Sequence, residues 1–356
     1  MIGLGWIAMA AGVGLFAELT VIRVHASFFQ FFADFKNVTL LACFLGLGLG
    51  YALGRQRNIG TPLFLPLLAI QVALLYLLRS FTLAPLLQNP VMEQLTMGYK
   101  QFSSLLDVAV VYGFLVFIFS STALTFLPLG QLASRLMSRT ERLPAYGANL
   151  AGSLGGILLF HVFAVFWTSP ALWLAATAVG LLPFFIQRRA LLVGGVASVM
   201  LLALLSWSPD PLRTDIYSPY QILTLSQRRD TTPVVQVNNV FFQWMIDLRG
   251  DDVEGSGLHY GLPYRFKPAP GRVLVVGAGT GNDVAAALRH GATGVDAVEI
   301  DPAILDIGES LHPESPYSDP RVRAVVEDAR SFIRYSEDSY DLVVYGLLDS
   351  HTLLAG

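Results

Sequence analysis

Gly277-Ala278-Gly279-Thr280-Gly281 follows a short apolar run, Val273–Val276, and precedes a stretch of helical pattern, Asn282–His290. Glycines there let the chain turn sharply after a strand, and they let a ligand approach the backbone N–H groups that open the next helix. Glu299 lies at the end of a second strand, Val295–Ile300, about 20 positions on, where an acidic side chain suits ribose hydroxyls. Asp328 follows a third strand, Val322–Val326. The loop reads G-x-G-x-G and lacks the third glycine of the dinucleotide fingerprint, which points from NAD towards a ligand of the S-adenosylmethionine type. A nucleotide fold that no longer binds a ligand satisfies the same pattern and stays open. No metal site is expected.

Positioning these residues takes alternating strands and helices. From Arg272 onward the four strands, the last at Tyr340–Tyr345, alternate with helical stretches, one of which opens at Pro302 after Asp301. Such alternation predicts a parallel sheet with helices on both faces. Ahead of it, Tyr220–Leu225, Val234–Val237 and Val240–Ile246 read as strands, with Asn238-Asn239 as a hairpin turn. Pro209, Asp210, Pro211 and Pro219 read as a linker, and 251–257 as a loop.

The first 207 residues differ in kind. The chain of 356 residues is 54% hydrophobic and 14% charged, with a mean hydropathy of +0.56, whereas soluble domains carry about 25% charged residues. Residues 1–207 hold 11 basic and 5 acidic groups, and residues 208–356 hold 12 and 21. That switch marks a domain boundary, and the acidic second part argues against a nucleic-acid partner. Cys43 is the only cysteine, so no intramolecular disulfide can form. About seven runs, 3–25, 37–54, 61–79, 105–134, 144–167, 170–187 and 189–207, approach the length of a membrane span. The lipid bilayer is therefore an expected partner. Gly46, Gly50 and Gly54, and again Gly152 and Gly156, recur every four residues, a spacing that lets helix backbones approach closely. Glu18, Arg23, Asp107 and His161 are among the few ionisable groups within the runs, and Glu18 sits far enough in to need a partner. Arg55, Arg57, Arg135, Arg139, Arg142, Arg188 and Arg189 fall in connections on one side. The positive-inside rule makes that side cytoplasmic, and an odd number of spans then puts the C-terminal domain outside an inner cell membrane.

Several segments resemble the spermidine synthase (aminopropyltransferase) family: Val273–Gly281, Val298-Glu299-Ile300-Asp301-Pro302, Ser318-Asp319-Pro320-Arg321-Val322, Glu327-Asp328-Ala329 and Tyr340-Asp341-Leu342-Val343-Val344. Ser218-Pro219-Tyr220-Gln221 and Gln243 resemble that family's small β domain, so the likeness covers about residues 216–350. The helical half looks like the membrane portion of bacterial proteins in which such a domain is fused to a multi-spanning segment. The cofactor stays unknown; if binding is retained, the resemblance implies S-adenosylmethionine or its decarboxylated form. Glu299 would hold the ribose, Asp328 the adenine amino group, and Gly277, Gly279 and Gly281 the methionine-derived part. It also implies losses. Thr280 stands where the family's loop carries an aspartate, and Gly346 where its fourth strand ends in one. Asp349 matches a second family aspartate and is the one candidate base, although Ser350 replaces the proline after it. His259-Tyr260 is offset from the family's Tyr-His-Glu segment.

The expected architecture is a polytopic α-helical bundle (1–207), a linker and small β-hairpin region (208–250), and a partial Rossmann-like α/β domain (251–356) incomplete at its C-terminus. The missing carboxylates favour an accessory or structural subunit carrying a degenerate domain and docked on other membrane protein subunits, as in a respiratory or photosynthetic complex. The alternative is a membrane-bound aminopropyl or methyl transferase, and a transporter working through Glu18 and Asp107 is a third reading.

Overall fold

In a computed structural model, which describes residues 2–29, 32, 36–54, 60–80, 105–185, 188–206, 212–226, 233–238, 240–249 and 258–346, the apolar runs are helices. The chain divides between Pro209 and Asp210 into two compact units.

The first unit contains α1 (Ile2–Phe28), α2 (Lys36–Leu53), α3 (Phe64–Ser80), α4 (Leu105–Met137), α5 (Arg142–Val165), α6 (Pro170–Leu181) and α7 (Arg188–Ser206). Among the described residues, four helical stretches, Gly3–Phe28, Thr61–Arg79, Val108–Met137 and Arg142–Val165, are long and apolar enough to cross a membrane. Asn37–Leu53, Pro170–Phe184 and Leu191–Leu205 are apolar but shorter. At 1.5 Å per residue the 15 residues of Pro170–Phe184 reach about 22 Å, less than the ~30 Å hydrocarbon layer.

The glycine repeats are seams within this unit. A Cβ on Gly152 would fall on the carbonyl oxygen of Ala8, and one on Gly156 on that of Gly12, so α5 lies backbone to backbone on α1. Gly46 and Gly50 likewise press α2 against the carbonyls of Ala123 and Leu127 in α4, and Gly130 returns the contact to Leu47. Gly147, beside the second repeat, faces open space. Polar groups are gathered inside: Gln71 Nε2 donates to Thr122 Oγ1 at 2.6 Å and Ser121 Oγ at 2.9 Å, and His25 Nδ1 lies 3.1 Å from Thr39 Oγ1. Glu18 is buried, with neither oxygen hydrogen-bonded among the described residues. The Arg23 guanidinium lies 5.1 Å from the Trp173 ring. His161, expected deep in its run, is exposed on the surface of α5, and the Asp107 side chain lies outside the described residues.

The second unit has two sheets. β1 (Arg213–Tyr217), β2 (Ile222–Ser226), β3 (Val234–Val237) and β4 (Val240–Trp244) form an antiparallel meander. β1 occupies part of the expected linker, where Thr214, Ile216 and Tyr217 pair with Leu225, Leu223 and Ile222. β4 ends at Trp244 and not at Ile246, because Met245 enters the core and the Ile246 N–H leaves the sheet to donate to Asn282 Oδ1 at 3.1 Å. A helix not expected from the sequence, α8 (Leu258–Phe266), precedes the second sheet, which is the parallel one, in the order β7-β6-β5-β8. Its strands are β5 (Arg272–Val276), β6 (Gly294–Glu299), β7 (Val322–Val326) and β8 (Leu342–Tyr345). They are linked through α9 (Asn282–Arg289), α10 (Pro302–Leu311) and α11 (Ala329–Tyr335).

Successive residues of a strand point to opposite faces. Val273 and Val275 of β5 pack with Tyr264, Val284, Ala287 and Leu305, while Leu274 and Val276 pack with Val298, Phe332 and Tyr340. Both faces of the sheet are therefore covered, as parallel sheets require. The meander shares this framework, because Leu223, Val235, Val237 and Met245 pack on Ala303, Ile304 and Ile307 of α10.

Candidate functional site

The chain enters the parallel sheet at β5, builds β6 and β7 to one side, and returns for β8 on the other. Ligands of such sheets sit beyond the carboxyl ends of the strands where the order reverses. The glycine loop lies at that end of β5, with Gly277, Gly279 and Gly281 all in the left-handed region at φ of 69°, 58° and 108°. Only glycine adopts such angles without strain. Gly277 and Ala278 donate to Val298 O at 2.9 and 3.0 Å, holding the loop against the end of β6.

Glu299, at that strand end, is buried, which pushes its carboxyl group up, opposed by the N–H groups it accepts from. Its Oε2 accepts from Gly279 N at 2.9 Å and its Oε1 from Asp301 N at 3.1 Å. The structure thus brings Glu299 together with the glycine loop. Asp328 follows β7, is exposed, and caps α11 by accepting from Ser331 N at 2.9 Å. Asp349 lies outside the described residues.

Thr280 is absorbed by the meander: its N–H and its hydroxyl both donate to Gln243 Oε1, at 2.9 and 2.7 Å. A Cβ on Gly279 would meet that same oxygen at 2.8 Å. Asp301, read from the sequence only as a strand end, is a joint. Its Oδ2 accepts from Ser218 Oγ at 2.7 Å and Gln221 Nε2 at 3.0 Å, while Oδ1 caps α10 through Ala303 N at 3.0 Å. The Ser-Pro-Tyr-Gln segment is accordingly a clamp from the meander onto the end of β6.

Four residues of the site were not singled out by sequence reasoning. Asn282 is fully buried and fully satisfied. Its Nδ2 donates to Trp244 O at 2.7 Å and the Tyr260 hydroxyl at 2.9 Å, and its Oδ1 accepts from Ile246 N and lies 3.0 Å from His312 Nε2. His312 Nδ1 accepts from Glu314 N at 3.1 Å, so the neutral ring with its proton on Nε2 is the tautomer that donates to Asn282. Burial draws that imidazole down to about 4, consistent with the neutral form. Tyr317 donates its hydroxyl to Gly279 O at 2.7 Å.

Asp283, in the first turn of α9, is the fourth. It is 9% exposed, accepts no hydrogen bond among the described residues, and is pushed up to about 6 by burial. Its oxygen Oδ2 lies 2.9 Å from where a Cβ on Gly346 would stand. No local signal could have found it, since its neighbour Gly346 lies just past the last strand, far along the chain. In the unfolded chain this carboxyl ionises near 3.8. At pH below that value it is protonated in both states and costs nothing. As pH rises from 3.8 to about 6 the unfolded chain ionises while the fold keeps its proton, so the fold loses stability over that window, about 3 kcal/mol in all, and no more above it. Asp283→Asn is expected to be more stable than the parent above about pH 6.5 and equal to it near about pH 4. Thermal melts across that range check this, and a pH-independent difference would refute it.

Residues 259–355 match the family profile of the Spermine/spermidine synthase domain. A polyamine aminopropyltransferase of Alkaliphilus oremlandii is 36% identical over 91 residues, which cover 25% of this chain and 32% of the relative. Spermidine synthase 1 of Datura stramonium is 34% identical over 87 residues, 23% of this chain and 28% of the relative. A polyamine aminopropyltransferase of Thermoplasma volcanium is 24% identical over a longer stretch of 149 residues, covering 41% of this chain and 50% of the relative. The chain thus spans between about a quarter and a half of these relatives' length. The crystal structure of spermidine synthase from Thermotoga maritima aligns with a TM-score of 0.34 at 16% identity, over 40% of this chain and 48% of that one. The α/β region at the carboxyl end of this chain is a spermidine synthase-like domain.

Proposed function

We propose that the second unit binds an adenosyl ligand of the S-adenosylmethionine type, and that the helical unit anchors it in a membrane. The observation that carries the reading is the juxtaposition of the left-handed glycine loop with buried Glu299 at the reversal of the sheet, through the 2.9 Å bond to Gly279 N. The pairing supports the reading because a carboxylate of the kind that suits ribose hydroxyls lies beside backbone that a ligand can approach closely. The aminopropyltransferase names of the relatives suit the same ligand class, and the apolar lengths of Gly3–Phe28, Thr61–Arg79, Val108–Met137 and Arg142–Val165 support the anchor.

A second reading, an accessory subunit that docks on other membrane proteins and performs no chemistry, is favoured by Gly346 and by the capture of Thr280 by Gln243. The number of spans bears on the choice. Seven would put the domain opposite the N-terminus, and four would put it on the same side, where the cytoplasmic ligand is made.

Equilibrium dialysis of the full chain in detergent against S-adenosylmethionine, its decarboxylated form and 5′-methylthioadenosine tests the proposal. Saturable binding of at least one is expected, weakened about 100-fold or more by Glu299→Ala, which removes a group paired to two ribose hydroxyls. No binding of any of the three at millimolar concentration would leave the accessory reading in its place.

A further inference from the structure

The crevice where the sheet order reverses lies between the carboxyl ends of β5 and β8. β8 brings Gly346 to it, β5 brings the Gly277 carbonyl, and α9 brings Asp283. A Cβ on Gly346 would lie 2.9 Å from Asp283 Oδ2 and 3.9 Å from Gly277 O. The carboxylate therefore rests over the bare α-carbon of Gly346, and a side chain at 346 would displace it. A carboxylate reaches the crevice after all, from a helix and not from the last strand.

The other two carboxylates at this edge already accept hydrogen bonds from the chain. Glu299 accepts from Gly279 and Asp301 N–H groups, and Asp301 accepts from Ser218, Gln221 and Ala303. Asp283 accepts from none of the described residues although it is nine-tenths buried. Two phenols feel its charge: Tyr317, whose hydroxyl is spent on Gly279 O, and Tyr264, whose hydroxyl has no partner among the described residues. A buried carboxylate without a partner is costly unless a cation arrives to meet it. The N-terminal dipole of α9 opposes a cation there, but its strength is only about half a unit charge against the full charge of the carboxylate.

We propose that Asp283 is the group that recognises the cationic part, ammonium or sulfonium, of the ligand whose nucleoside is held by the glycine loop and Glu299. The assignment rests on the adenosyl reading above. It makes Asp283 a charge-selecting residue, kept against the stability of the empty fold.

The test uses the full chain in detergent and two probes that share the nucleoside and differ in charge. Decarboxylated S-adenosylmethionine carries a sulfonium and an ammonium, while 5′-methylthioadenosine is an uncharged thioether. Asp283→Asn is expected to weaken the cationic probe about 10- to 100-fold, the value of one buried charge-assisted contact, and to change the neutral probe less than about 3-fold. Gly346→Ala, which pushes the carboxylate aside, is expected to show the same selectivity, and Asp283→Glu partial recovery for the cation. Equal effects on both probes, or none on either, overturn the assignment while leaving the adenosyl reading intact. If neither probe binds the parent protein, that reading fails and the assignment falls with it. The gain in stability expected of Asp283→Asn keeps misfolding from imitating a loss of binding.

Discussion

Asn282→Ala is expected to cost the second unit about 3–5 kcal/mol. The asparagine uses all four of its hydrogen-bonding capacities on groups from three separate segments: Trp244 O and Ile246 N, the Tyr260 hydroxyl, and His312 Nε2. Each such bond contributes roughly 1 kcal/mol net, and losing one side chain leaves several buried donors and acceptors unpaired at once. The meander's exit, α8 and the turn after α10 are held to the glycine loop by this residue, so the damage reaches the site. Hydrogen exchange at the Ile246 amide, compared with amides in β5, measures it. A change below about 1 kcal/mol would show that the three segments are held by apolar packing alone.

Gly281→Val is the second. Gly281 has φ 108° and ψ 9° and precedes the first turn of α9. A β-branched residue there is strained by about 1–3 kcal/mol before any contact is considered. Its Cβ would also stand 2.7 Å from Pro316 Cγ and 3.1 Å from Tyr317 Cε2. Overpacking of that kind adds about 1–3 kcal/mol. Moving Tyr317 also breaks its 2.7 Å bond to Gly279 O, so the loop loses its support from the Pro316–Ser318 turn. The expected outcome is a domain destabilised by about 3–5 kcal/mol and an adenosyl affinity lost together with it. Gly281→Ala should fall between the two, since it keeps the strain and lessens the clash. Chemical denaturation of the full chain in detergent, followed by protease sensitivity within 258–346, reads both. Retention of ligand affinity by the valine variant would mean that the loop's conformation does not matter to the site.

What could be read from the sequence is what depends on neighbours along the chain. Apolar runs near span length became α1 to α7, and the alternation from Arg272 became the four parallel strands, because burial on one or both faces imposes a period that a short window reveals. The glycine loop was legible for the same reason, since its left-handed angles are set residue by residue. The close-packing glycines were also visible, although only the helix pairing showed that Gly152 answers Ala8 and Gly50 answers Leu127.

Elsewhere, contacts between distant segments decided the outcome. β1 carries proline- and charge-rich flanks and reads as linker, yet it is a strand because β2 offers it an edge. α8 contains Pro263 and has a weak apolar stripe, yet it forms because Tyr264 is buried against Val273 and Val284. Thr280 looks like a lost aspartate in the sequence and is, in the fold, a ligand of Gln243. Gly346 looks like a lost carboxylate, and the fold brings Asp283 to the place it vacates. Those two residues meet only because β8 returns to the far side of β5, and sheet order is a property of the assembled chain that no local pattern encodes.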